Sequence, residues 1–262
     1  MSQTSTDQPT TRFHVTADVF GQTEIGPTRD EHQDAIMIAG MVGIATGSRW
    51  FWRDQVTARG VSFAVIDGMG GYAGGADAAA LVATSLATVD AAGVSDALFE
   101  TISRRVTQAG RAWGMPAMGA TAAMLTVAPS GMIMTNVGDC RIYRVTGGRL
   151  GLMSVDDRPD DPESSTVTQA LGSSRRINAH LFAQGHTAGT ARYVLCSDGV
   201  WRTLPEAVLR SLCAAERTPR QVVDAIIDAA YARDADDNCS VIIADLTATP
   251  GQDPGARAPH QG

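Results

Sequence analysis

The stretch FAVIDGMGGYAGG spans residues 63–75. An apolar run leads into a single carboxylate, Asp67, and glycine then stands at positions 68, 70, 71, 74 and 75. This pattern predicts a buried strand that ends in an acid and continues into a turn. The turn is compatible with a phosphate-holding loop, a metal site or a simple connection, so the other acidic residues must distinguish these alternatives.

The overall composition is that of an acidic globular protein. The chain has 262 residues, and its 28 acidic against 21 basic side chains give a net charge of −7. This balance argues against nucleic acid or an anionic membrane as a partner. The four cysteines show no CxxC spacing, which fits a reduced, intracellular setting. With no signal-like segment and no run of about 20 apolar residues, we expect a cytoplasmic protein.

Two terminal stretches, residues 1–12 and 247–262, are rich in Pro, Gly, Thr and Gln. We expect both to be disordered tails that flank a single domain over residues 13–246.

Alternating and helical periodicities predict an α+β fold. Strands are predicted at residues 13–20, 35–40, 61–67, 121–127, 131–139, 141–151, 191–198 and 239–246. Helices are predicted at residues 75–92, 95–113, 204–216 and 218–233. Turn residues at 128–131 and 146–149 indicate hairpins, so we expect antiparallel sheets packed together with helices outside. The aromatic stretch 49–55 is predicted to be a connecting loop, the alternative being a partner-binding surface.

Five acids share one kind of location, because each lies where a predicted strand begins or ends. They are Asp34, Asp67, Asp139, Asp198 and Asp237. Any one of them could be a simple turn residue. Five together suggest carboxylates that converge, repel one another and require a divalent cation. All-oxygen ligands favour Mg²⁺ or Mn²⁺, and the absence of His/Cys spacing disfavours zinc.

Arg29 lies five residues before Asp34. It is either a surface arginine or, beside a metal–carboxylate cluster, a fork of donors for a phosphate group. The glycines after Asp67 do not form GxxxxGK[ST], which disfavours a nucleotide-binding loop.

Seven motifs resemble, in order, those of the metal-dependent serine/threonine protein phosphatases, the protein phosphatase 2C-like family in its bacterial form. They are TRDEHQDA, FAVIDGMGG, GATAAMLTV, NVGDCRIY, QALG, VLCSDGVW and DNCSVIIADL, within about residues 16–246. The resemblance implies a four-layer αββα architecture, in which two antiparallel β-sheets form a sandwich flanked by α-helices.

The resemblance also implies a two-metal site. Asp67 would bridge both ions, the Gly68 carbonyl would bind one of them, and Asp198 and Asp237 would complete the other. Asp34 would hold metal-bound waters.

The implied reaction is hydrolysis of phosphoserine or phosphothreonine. Two Mn²⁺ or Mg²⁺ ions lower the pKa of a bridging water, which attacks phosphorus in line while Arg29 binds the phosphate. The substrate would be a phosphorylated protein, such as a target of a Ser/Thr kinase or a phosphorylated regulator in bacterial signalling.

Several positions depart from the family pattern. Gln33 replaces a common Glu, and Met69 stands where eukaryotic relatives carry a histidine. Asp139 matches the family's third-metal ligand, but Arg202 replaces the acid expected after Asp198 and should repel a third ion. The flap, residues 154–172, is short and acidic, and we expect its acids to lie in a solvated loop. These departures favour an alternative, a catalytically weak phosphoprotein-binding module, whereas the retained carboxylates favour an enzyme.

Overall fold

Twelve strands form two six-stranded antiparallel sheets in the computed structural model, which describes residues 13–70, 72–161, 166–173 and 176–251. The first sheet contains β1 (Phe13–Glu24), β4 (Ser48–Gln55), β8 (Arg141–Thr146), β9 (Arg149–Leu152), β11 (Gly189–Cys196) and β12 (Cys239–Pro250), in the order β4-β1-β12-β11-β8-β9. The second sheet contains β2 (Asp34–Ile38), β3 (Met41–Gly43), β5 (Val61–Met69), β6 (Gly119–Ala128), β7 (Gly131–Val137) and β10 (His180–Gln184), in the order β10-β7-β6-β5-β2-β3.

Strand β5 shows why the chain forms layers. Phe63 and Val65 pack between the two sheets, whereas Ala64 and Ile66 pack on the opposite face. Both faces are therefore covered, which explains why this strand is a continuous apolar run without polar alternation.

The helices cover the outer faces of the two sheets. They are α1 (Tyr72–Leu86), α2 (Asp96–Ala112), α3 (Asp198–Trp201), α4 (Glu206–Ala214) and α5 (Pro219–Tyr231). Helices α1 and α2 pack on the second sheet, and α3 to α5 pack on the first. The predicted α+β fold, two packed antiparallel sheets flanked by helices in four layers, is confirmed.

Local sequence signals account for the start of helix α5. Thr218 is the N-cap, its side chain accepts a hydrogen bond from the Gln221 backbone N–H, and Pro219 occupies the first turn. This capping box satisfies two backbone donors that would otherwise lack partners at the helix start.

Some predicted boundaries were wrong. The stretch expected to be a loop at 49–55 belongs to β4, an edge strand that pairs with β1. Six of its eight residues are exposed to solvent, so burial does not alternate clearly and the strand pattern is hidden.

Strand β12 continues to Pro250 and pairs with the start of β1, so residues 247–250 are not a tail. The remaining predicted tails, residues 1–12 and 252–262, lie outside the described residues.

Strands β3 and β10, which the sequence did not predict, are short edge strands of the second sheet. No helix in the described part of the chain is long and apolar enough to cross a membrane.

Candidate metal centre

The sheet register brings the first two predicted acids together. Asp34 and Asp67 are direct partners on the adjacent antiparallel strands β2 and β5. Asp67, Asp139, Asp198 and Asp237 all line one cavity of about 640 Å³. The structure therefore brings together acids from five separate chain segments, as the strand-end pattern predicted.

Two glycines allow the backbone segments around this cavity to approach closely. A Cβ atom on Gly68 would lie 2.0 Å from the Gly75 carbonyl oxygen, and one on Gly199 would lie 2.1 Å from the Asn238 carbonyl oxygen. The Gly68 N–H also donates to the Gln33 carbonyl at 3.0 Å. Glycine is needed at both positions because any side chain would force these segments apart.

Asp34 lies beneath the cavity and is held by hydroxyl groups. It is 3% exposed, and one of its oxygens, Oδ2, accepts hydrogen bonds from Ser197 Oγ at 2.8 Å and Ser240 Oγ at 2.6 Å. The Ser240 backbone N–H donates in turn to Ser197 Oγ at 3.0 Å. Neither serine was predicted from the sequence, although each lies close to a predicted acid, Ser197 directly before Asp198.

The electrostatics of the cluster disfavour five ionised carboxylates. Burial, followed by repulsion from the neighbouring acids, raises the pKa of Asp67 well above its ordinary range. Burial likewise raises the pKa of Asp34, although the two serine hydrogen bonds oppose this shift. Burial and the charge of Asp237 raise the pKa of Asp198 to about 7. Burial raises the pKa of Asp139 to about 6, against the lowering effect of nearby arginines.

Asp237 lies at the rim of the cavity. Burial raises its pKa, while the Asn238 N–H and the Arg29 guanidinium act in the opposite direction. Asn238 fixes the surrounding loop, since its Oδ1 accepts from the Gln33 N–H at 2.7 Å and its Nδ2 donates to the Ile25 carbonyl at 2.7 Å. This asparagine is a structural residue of the site that the sequence analysis did not single out.

The donor set fits hard divalent cations. Asp198 Oδ1 is buried and has no hydrogen-bond partner among the described residues, so it is an unsatisfied buried acceptor. Within the described ranges, no three His, Cys, Asp or Glu side chains already form a metal-holding group. Mg²⁺ is commonly held by one or two carboxylates and keeps several water ligands, so separated carboxylates suit such a cation.

Comparison with curated proteins identifies the relatives. No family model matches the chain. The serine/threonine phosphatase stp of Listeria innocua is 26% identical over 216 residues, which cover 68% of this chain and 82% of the relative. A putative protein phosphatase 2C-type of Streptococcus pyogenes is 22% identical over 249 residues, which cover 85% of this chain and 94% of that relative. The chain is a homologue of bacterial 2C-type phosphatases.

A third relative is longer than this chain. The serine/threonine protein phosphatase PstP of Mycobacterium tuberculosis is 27% identical over 218 residues, which cover 74% of this chain but 42% of PstP.

Solved structures share the fold. PppA, described as a key regulatory component of the type VI secretion system in Pseudomonas aeruginosa, superimposes with a TM-score of 0.73 at 24% identity, covering 89% of this chain and 98% of PppA. The catalytic domain of PstP in complex with two manganese ions superimposes with a TM-score of 0.70 at 22% identity. The superposition covers 89% of this chain and 99% of the PstP domain. At these identities the likeness shows the shared fold.

Arg29, the predicted phosphate ligand, lines the same cavity. Its guanidinium donates to Asp237 Oδ2 at 2.5 Å and to the Asp236 carbonyl at 2.8 Å. The side chain is 48% exposed. A guanidinium carries five N–H donors, so these two bonds use part of its capacity.

The short flap is not simply a solvated loop, contrary to the sequence expectation. Asp156 pairs with Arg141 at 2.7 Å. Asp157 accepts a hydrogen bond from the Gly138 N–H at 2.8 Å and contacts His180 Nε2 at 2.9 Å. Both acids fasten the start of the flap to the sandwich, so they serve structure rather than solvation. Residues 162–165 of the flap lie outside the described residues.

Arg158 and Arg202 both lie near Asp139, the predicted third-metal ligand. Asp139 is 2% exposed, and each of the two guanidinium groups lowers its pKa. Arg202 was predicted from the sequence, but Arg158, whose Nε lies 3.8 Å from Asp139 Oδ2, was not. Its signal was weak, because an arginine in an acidic stretch is usually a surface residue.

Proposed function

We propose that this protein is a Mg²⁺- or Mn²⁺-dependent phosphoprotein phosphatase that hydrolyses phosphoserine or phosphothreonine. The observation that carries the proposal is the convergence of four carboxylates with raised pKa values at one cavity that Arg29 also lines, with Asp34 paired to Asp67 on the adjacent strand. The names of the curated relatives support the same reaction, and the manganese ions of the PstP structure support the same class of cofactor.

The residues of the cavity divide into two groups by position. Asp67, Gly68, Asp198 and Asp237 line the cavity and are the residues that would hold two cations. Asp34 lies behind them, oriented by its serine hydrogen bonds, and would orient water molecules. When bound, the cations would lower the pKa of a water molecule and neutralise charge on the phosphoryl oxygens.

Arg29 would contribute a planar set of donors to the phosphate. Because its guanidinium already lies beside Asp237, a phosphate bound there would meet the arginine without a large movement of the chain. Met69, which lines the cavity, has no titratable group, so water would protonate the leaving alkoxide.

Raised carboxylate pKa values couple cation binding to proton release. Around neutral pH, Asp198, with a pKa of about 7, retains part of its protonation until a cation replaces the proton. Metal affinity should therefore increase as the pH rises through this range.

We also propose the setting in which the enzyme acts. A single phosphatase domain over about residues 13–246 would act in the cytoplasm of a bacterium, where it would oppose a Ser/Thr kinase or dephosphorylate a regulator.

Hydrolysis of p-nitrophenyl phosphate and of a phosphothreonine peptide tests the proposal. We expect activity with Mn²⁺, none in EDTA, and a loss of about 100- to 1000-fold in Asp198→Ala, because a group that holds the charge-stabilising cations is removed. The matched control is Asp90→Ala, which removes an exposed carboxylate far from the cavity and should leave activity unchanged. Activity that survives EDTA or Asp198→Ala would refute the two-metal mechanism. Phosphopeptide binding without turnover in any divalent metal would instead support the binding module.

Arg29→Ala tests the assignment of the phosphate ligand. A lost charge-assisted hydrogen bond costs roughly 1.5–3 kcal/mol, so kcat/KM should fall about 10- to 100-fold. Arg59→Ala is the control, because that arginine forms an exposed ion pair with Asp90 outside the cavity. Equal effects of the two substitutions would contradict the role of Arg29.

A further inference from the structure

Asp139 is a buried carboxylate that needs a positive partner. Its side chain is 3% exposed, and Oδ2 makes no hydrogen bond with any described residue. Burying an ionised carboxylate is costly unless a nearby cation compensates for the lost hydration. The resemblance to the phosphatases would assign that task to a third metal ion.

The structure places a side-chain cation at this position. The Arg158 guanidinium lies 3.8 Å from Asp139 Oδ2, measured from Nε, and its side chain is 12% exposed. An ion pair this deeply buried is screened little by water or salt. Its positive charge therefore acts on Asp139 much more strongly than a surface arginine would.

Trp201 holds the two members of this pair. Its indole N–H donates to the Asp139 carbonyl at 3.0 Å, and the Arg158 guanidinium carbon lies 5.1 Å from the centroid of the ring. Guanidinium groups within about 6 Å of an aromatic centroid are attracted by the ring electrons. The Arg141 guanidinium carbon lies 3.5 Å from the centroid of the same ring, and Arg141 pairs with Asp156.

The backbone beside Arg158 is fixed as well. The Asp157 N–H donates to the Gly138 carbonyl at 2.9 Å, and the Asp157 carboxylate accepts from the Gly138 N–H at 2.8 Å. The residue before Arg158 is thus fastened to the residue before Asp139. This backbone pairing places the Arg158 side chain next to the Asp139 carboxylate.

We propose that the Arg158 guanidinium, held against Trp201, replaces a third divalent cation at Asp139, so that this site takes two cations. The inference rests on the proposed function. Arg158 is a positioning residue whose guanidinium supplies the positive charge beside the Asp139 carboxylate. A further divalent ion at Asp139 would face the charges of both Arg158 and Arg202, which makes its binding unfavourable.

Counting bound Mn²⁺ tests the proposal without relying on activity. Isothermal titration calorimetry and equilibrium dialysis should give two ions for the unchanged protein. Arg158→Met combined with Arg202→Asp should bind a third ion, with an affinity at least roughly tenfold above any residual third-site binding of the unchanged protein, because a neighbouring charge shifts carboxylate equilibria by that much. Adding Asp139→Asn should abolish the gain. Arg192→Met is the matched control, since Arg192 is another largely buried arginine paired with an aspartate, Asp245, away from the cavity.

Two variants keep the test decisive if the double substitution prevents folding. Asp139→Asn in the otherwise unchanged protein should still bind two Mn²⁺ ions, each somewhat more weakly, because Asp139 ligates neither ion and only its negative charge is lost from the cavity. Arg158→Lys keeps the charge and should also bind two. Loss of an ion in Asp139→Asn would overturn the proposal.

The remaining outcomes separate this inference from the proposed function. Three ions in the unchanged protein, or two in the folded double variant, would overturn the role of Arg158 and leave a metal-dependent phosphatase intact. No Mn²⁺ bound by any form would overturn both.

Discussion

Replacing Asp198 with asparagine should stabilise the protein when metal is absent. Burial and the charge of Asp237 raise the pKa of Asp198 from its ordinary 3.8 to about 7. The folded state therefore binds a proton more tightly than the unfolded chain, and stability falls as the pH rises from about 4 to about 7. An asparagine side chain at this position would carry no charge and would escape this loss.

The magnitude follows from the size of the shift. About three pKa units at about 1.4 kcal/mol each give a ceiling of about 4 kcal/mol. The repulsion is shared among several acids, and Asp198 is partly exposed to the cavity, so we expect a gain of about 1–2 kcal/mol at pH 8. For a chain of this size that corresponds to a rise in Tm of about 2–4 °C.

Thermal unfolding in EDTA at pH 4, 6 and 8 measures this effect. The advantage of Asp198→Asn should be absent at pH 4 and complete at pH 8. With Mn²⁺ at pH 8 the order should reverse, because the unchanged protein gains binding energy that the variant lacks. Asp245→Asn is the control and should lower Tm at pH 8, since Asp245 accepts from Arg192 at 2.7 Å. The electrostatic reasoning would be refuted if Asp198→Asn were less stable than the unchanged protein at pH 8 in EDTA. It would also be refuted if the variant raised Tm as much at pH 4 as at pH 8.

Two further predictions concern packing. Gly199→Ala should destabilise the protein by about 1–3 kcal/mol in urea unfolding, because its Cβ would lie 2.1 Å from the Asn238 carbonyl oxygen. Gly185→Ala, where a Cβ would meet nothing within 4 Å, should cost less than about 0.5 kcal/mol, and similar losses would contradict the close-approach argument. Phe99→Ala should cost about 3–5 kcal/mol, because this fully buried ring joins helix α2 to the second sheet. Phe51→Ala, at 72% exposure, should change the free energy of unfolding by less than about 0.5 kcal/mol, and a loss that matched that of Phe99→Ala would refute the assignment of the core.

Much of the site could be predicted because its signals are local. Asp67 follows an apolar strand and precedes Gly68, and Asp198 repeats that arrangement. The structure brings both acids to one cavity. Which of them ligate cations stays a prediction, since ligand roles came from the resemblance.

The errors lie where local signals are weak. The edge strand around Phe51 has one neighbouring strand and no cleanly buried face, so its sequence resembles a polar, aromatic loop. The end of β12 was assigned to a tail because Pro250 and its neighbours resemble linker residues, although pairing with β1 orders them. In both cases strand pairing overrode local propensity.

The sequence by itself determined the α+β fold, the layers and the acids that converge, because strand periodicity and the order of the motifs are written along the chain. The tertiary structure decided which charges and hydroxyl groups surround those acids. Ser240 reaches Asp34 across 206 positions, and Arg158 reaches Asp139 from a flap that the sequence describes only as acidic. Such contacts depend on how distant segments pack, and no local pattern encodes them.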